Sequence, residues 1–127
     1  MMNESKPHMP KIKIFIISWR GVHERAATIA TALAKYSDDI SIVMSGDDDD
    51  IFGTSSVNII RRDDSLFWAD KFVGALEHCP DDSVMLIIHA DCRSENWPEV
   101  VQRCSYAFAH IANLGVWSPK TRGTPYR

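Results

Sequence analysis

The chain has 127 residues, a net charge of −3 with histidine neutral, 45% hydrophobic residues and 24% charged residues; this fits one globular soluble domain and excludes two domains, a disordered chain and a fibrous one. Basic residues are scattered along the chain, so no nucleic acid is expected as a partner. The longest apolar run, residues 14–17 with Ile12 just before it, is far short of the roughly 20 residues that cross a bilayer, so no transmembrane segment is expected.

In chain order, Met1 to Pro10 is polar, has no periodicity and reads as a disordered lead-in; the domain is expected over residues 11–127. Lys11 to Ser18 opens with alternation and becomes a continuous β-branched run, the mark of a strand covered on both faces. Trp19-Arg-Gly-Val22 breaks it, and Ala26, Ile29, Ala30 and Leu33 recur at helical spacing from His23 to about Tyr36. Ile40 to Ser45 is a second strand, ending in Gly46, which completes a βαβ unit. Four acids, Asp47 to Asp50, then read as an exposed loop before a short strand at Val57 to Ile60.

A second helix is expected over Leu66 to His78, capped by Ser65 and burying Leu66, Phe67, Phe72, Val73 and Leu76. Ser83 to His89 is another buried strand. A third helix starts at Trp97-Pro98, capped by Asn96 or Ser94, with Val100, Val101, Cys104, Phe108 and Ile111 on its apolar face. Gly115 to Pro119 reads as a short strand or extended segment. The first eleven residues lack the apolar stretch of a signal peptide. The three cysteines, Cys79, Cys92 and Cys104, are odd in number and lack CxxC spacing. Free thiols in a reducing cytoplasm are the expectation, and neither a disulfide framework nor a zinc site.

Alternating strands and helices predict an α/β fold, a three-layer α/β/α open and mostly parallel sheet of Rossmann-like form. In such sheets ligands bind outside the carboxyl ends of the strands, where the connections diverge. The residues to weigh there are Ser18 and Arg20, Asp47 and its neighbours, Arg61 and Arg62, and His89 with Asp91 and Arg93. A carboxylate directly after a buried strand, with an imidazole two residues earlier, can hold a divalent ion whose shell a substrate's phosphates complete. Each residue also has a plain structural reading. Asp91 would cap a turn, His89 would satisfy a backbone carbonyl, the cations would lie solvated on the surface, and Trp68, Trp97 and Trp117 would pack in the core.

The segment Ile87-Ile-His-Ala-Asp91 resembles the strand and acidic motif of inverting family 2 glycosyltransferases with the GT-A fold, where a strand runs into Asp-x-Asp. The likeness extends over most of residues 11–119, including Gly115-Val-Trp-Ser-Pro119 some 25 residues past the motif. It implies that this chain is the nucleotide-binding half of a sugar-nucleotide transferase, with a nucleotide-diphosphate sugar as ligand and an unknown hydroxyl acceptor. Asp91 would hold Mn²⁺ or Mg²⁺. His89 stands where the family has its first acid, a departure that favours manganese. Ser18 and Arg20 would line the base and ribose pocket, Asp47 would contact the base, and Arg61, Arg62 and Lys71 would neutralise phosphate.

The segment that carries the catalytic base in that family has no counterpart here, so the chain is expected to be truncated relative to a full transferase, with little transferase activity alone. Rival expectations are a non-catalytic nucleotide-binding domain, a phospho-receiver-like signalling domain and an interaction domain. The receiver reading needs acids after the first strand, where Ser18-Trp-Arg20 stands instead. An exposed sheet edge would pair with another copy in a homodimer.

Overall fold

The computed structural model describes residues 9–34, 39–45, 57–63, 65 and 68–119. Among the described residues the order is β1 (Lys11–Ser18), α1 (His23–Ala34), β2 (Ile40–Ser45), β3 (Asn58–Arg62), α2 (Trp68–His78), β4 (Ser83–His89) and α3 (Trp97–His110). All strand pairs are parallel and the order is β3-β2-β1-β4, so the expected α/β Rossmann-like open sheet is present. Most of the expected lead-in, residues 1–8, the Asp47 to Asp50 run and the end from residue 120 lie outside the described residues.

Parity along the strands divides the core. Ile14 and Ile16 of β1, Ile42 and Met44 of β2, and Leu86 and Ile88 of β4 meet Ala26, Ile29, Ala30 and Leu33 of α1 and Cys104 of α3. The alternate residues, Phe15, Ile17, Val43 and Ile60, meet Ala75 of α2 on the other face. Period-two alternation in a strand sends neighbours to opposite faces, so a strand apolar at every position must have helices on both sides. Ile14 to Ile17 have no exposed surface; four such side chains together are worth roughly 6–12 kcal/mol of burial.

α3 starts as expected: Asn96 is the cap, its side chain accepting from the Glu99 amide at 3.1 Å, with Pro98 in the first turn. Ile111 is the C-cap rather than a core position and is 54% exposed. Gly115 to Pro119 forms no strand, although Trp117 packs against the larger core. Trp97 packs there too.

Two expectations about the α2 region are overturned. β3 runs two residues past Ile60, so Arg61 and Arg62 belong to the strand and pair with Met44 and Ser45. Arg62 points to the α2 face and binds Asp70 through two hydrogen bonds, 2.9 Å from Nε and 2.7 Å from Nη2, with Nη1 3.3 Å from Glu77. Arg62 therefore serves the fold and not a phosphate. α2 itself buries Lys71, Gly74 and Ala75, whereas the expected core residues Val73 and Leu76 are 44% and 55% exposed. The Arg62 clamp fixes this rotation, and Gly74 permits it: a Cβ there would stand 3.0 Å from Arg62 Cδ. Ser65, expected as a cap, donates its amide and hydroxyl to Asp63.

The clamp makes a pH-dependent prediction. The Arg62 guanidinium holds the Asp70 carboxyl below its ordinary value of 3.8, so the folded state favours the ionised form. That stability is present above the unfolded-state pKa and is lost as pH falls through the lower folded-state value. Asp70→Asn is expected to lower Tm at pH 7, and the gap from the parent protein should close as the pH is taken well below 3.8. A constant gap across that range, measured by thermal melts, would show that the pair contributes no titrating stability.

Candidate functional site

Adjacent strands β1 and β4 bring their carboxyl ends together. From β1 the chain crosses through α1 to β2 on one side, while β3 returns through α2 to β4 on the other. The chain leaves the carboxyl ends of both β1 and β4 towards the face that α1 and α3 cover, while α2 lies on the other face; ligands of open α/β sheets bind outside the carboxyl ends of the strands. The two ends are tied together, since the Ala90 amide donates to the Ile17 carbonyl at 2.9 Å.

After β1 the chain makes a tight turn, with the Val22 amide donating to the Trp19 carbonyl at 3.0 Å. Gly21 sits at the third position with φ +100°, where a type II turn demands a residue that accepts the left-handed region. The turn points Arg20 to solvent and returns His23 inward. Ser18 is fully buried, and its Oγ shares a 2.6 Å hydrogen bond with Nδ1 of His23, itself 3% exposed. Ser18 presents no surface to a ligand, and its part is to seat the start of α1.

After β4 a second turn closes through the Cys92 amide and the His89 carbonyl, 3.0 Å apart. Asp91 lies in this turn, exposed, and makes no ion pair with any described residue. Beside it, Cys92 is exposed, and partial burial of its sulfur together with the Asp91 charge pushes the thiol above its ordinary value. An electrophile would meet the unreactive protonated form.

His89 is on the α2 face of the sheet, beside Trp68, the first residue of α2, and Trp19 from the first turn. The indole Nε1 of Trp68 donates to Nε2 of His89, which assigns the imidazole proton to Nδ1. Neither ring nitrogen then has a lone pair for a cation. Trp19 meets the imidazole edge-on at 5.9 Å and 72°. Trp68 is 45% exposed and so is not the core residue its sequence context predicts.

The other sequence candidates are dispersed. Lys71 lies beneath α2, 4% exposed, and forms no ion pair with a described residue. Arg61 is exposed on β3, three strand spacings or roughly 14 Å from β4. Asp47 is outside the described residues. Among the described residues no group of three His, Cys, Asp or Glu side chains is placed to hold a metal ion. The carboxyl ends of β1 and β4 thus bring Arg20, His89 and Asp91 to one rim, with Trp19 and Trp68, which the sequence reading did not place there. The missed signal was parity: Ile17 and His89 point to the side on which α2 begins.

The sequence matches no family model, no curated protein and no solved structure. The Ser18–His23 pair gives one test. Ser18→Ala strands a buried imidazole nitrogen and is expected to lower the unfolding free energy by roughly 1–3 kcal/mol. The urea midpoint reports it, and an unmoved midpoint at constant m-value would mean that His23 is satisfied without Ser18.

Proposed function

We propose that this domain binds the nucleotide-diphosphate part of a sugar nucleotide, for transfer of the sugar to an acceptor hydroxyl, in the manner of the GT-A glycosyltransferases it resembles. The observation that supports this reading most is Asp91: an exposed carboxylate at the carboxyl end of β4, beside the end of β1. Charged groups at this rim face a ligand; the same groups elsewhere on the sheet would not.

The donor set fits an ion that travels with the substrate. Magnesium and manganese sites of this kind take one or two carboxylates, with substrate phosphates and waters as the remaining ligands. Asp91 supplies the carboxylate. His89 does not fit as a ligand while Trp68 holds its Nε2, so the pairing of His89 and Asp91 around one ion is set aside. When bound, the metal would offset charge on the diphosphate leaving group. Arg20, at the same rim, would orient the phosphates by charge-assisted hydrogen bonds. Ser18 would act by positioning the first turn of α1.

Strand order favours this reading over a receiver-like signalling domain. Doubly wound sheets of that kind run 2-1-3-4-5, with β3 beside β1, whereas β1 here lies between β2 and β4. No helix of the described residues is long and apolar enough to cross a membrane, and we place the protein in the cytoplasm, where its three free cysteines stay reduced.

A thermal-shift panel of UDP, GDP, CDP and TDP, each with and without manganese, tests the proposal. At a hundredfold excess over Kd, ligand stabilises the fold by about 2.7 kcal/mol, a Tm rise of roughly 10 °C for a domain of this size. At least one nucleotide is expected to give a rise that needs manganese and is lost in Asp91→Asn. Failure of every nucleotide to move Tm, with metal present, would end the transferase reading.

A further inference from the structure

The Trp68 and His89 rings lie 5.4 Å apart between centroids with only 17° between their planes. Their hydrogen bond runs from the indole N–H to the imidazole lone pair, and both of these lie in the ring planes. Face-to-face rings could not make it, because an in-plane donor cannot reach the edge of a ring above it. The two rings are therefore side by side and nearly coplanar, joined edge to edge into one flat plate.

The plate is held from several directions. His89 is anchored in β4, Trp68 begins α2, Trp19 stands edge-on to the imidazole, and Phe72 leans on the indole at 5.4 Å and 39°. A large fraction of the indole remains in contact with solvent. A rigid, half-exposed aromatic surface at the carboxyl end of β4 fits another flat ring, since π-stacking needs no particular hydrogen-bond pattern. A fused two-ring base covers more of a plate longer than one ring system than a single-ring base does.

We propose that the Trp68–His89 plate seats the base of the nucleotide and prefers purines to pyrimidines. This rests on the reading of the carboxyl rim of β1 and β4 as a nucleotide site and adds the base-recognising element to it. His89 acts through its flat face and its acceptor nitrogen, and Asp91, two residues on, faces the diphosphate.

Calorimetric titration of the whole chain with ADP, GDP, UDP and CDP, each with and without manganese, separates the two ideas. The purine diphosphates are expected to bind several-fold more tightly than the pyrimidine ones. Trp68→Ala should weaken the purine diphosphates by roughly 5- to 100-fold and erase the preference, with an unchanged circular dichroism spectrum; Trp68→Tyr, which keeps a ring but not the joined plate, should fall between. Asp91→Asn should remove the manganese dependence and leave the purine preference. Equal binding of all four nucleotides, insensitive to Trp68 but dependent on manganese and Asp91, would overturn the plate and keep the diphosphate site. A purine preference that needs Trp68, with no effect of manganese, would keep the plate and overturn the metal-bridged diphosphate. No binding by any of the four overturns both.

Discussion

β1 is covered on both faces along its second half, and the remaining architecture follows from satisfying it. Its odd and even side chains need separate apolar partners, so α1 and α3 must lie on one side and α2 on the other. Its two hydrogen-bonding edges need separate strands, so β2 and β4 flank it. The adjacent carboxyl ends of β1 and β4 then bring the residues that follow them to one rim of the sheet. That rim is thus a consequence of burying Ile14 to Ile17, and Ser18, the last residue of the strand, is drawn inside with them.

The elements built from long apolar runs were legible in the sequence. β1, β2 and β4 have the bounds that their apolar runs imply, although β4, expected as a buried strand, is only half-buried at five of its seven positions. α2 was legible as a helix but not in its rotation. The apolar-stripe rule selects the residues with the largest side chains, Phe72, Val73 and Leu76, yet the helix turns Gly74 and Ala75 to the sheet. The energy that decides this comes from polar contacts at the two flanks, Arg62 with Asp70 and Glu77 on one side and Trp68 with His89 on the other. Such pairings join residues distant in sequence, and no periodicity encodes them.

The candidate site divides in the same way. Asp91 was legible because a polar residue directly after a buried strand must be at the sheet's rim. Arg62 was misread because the end of β3 is set by pairing with Ser45 rather than by the end of the apolar run. Ser18 was placed correctly at the end of β1, but its chemistry depended on where the next turn returned His23. Trp19 and Trp68 look like packing residues in isolation. Their arrangement around His89 needed the strand parity and the crossover side together.

Under the proposed reading, His89 stands where the resembling enzymes have an acid, and that difference has a physical meaning. A carboxylate there would stand within two residues of Asp91, and the like charges would need a metal to hold them together. Imidazole removes that repulsion and brings a planar acceptor that an indole N–H can bind. The cost is one hard oxygen ligand, which leaves a divalent ion dependent on the phosphates of its nucleotide. The gain is a flat surface locked to the first turn of α2, and α2 is in turn locked to β3 through Arg62. The Trp68–His89 contact and the Arg62–Asp70 pair both lie in the first turn of α2, so whatever fixes the rotation of that helix also fixes the indole against β4.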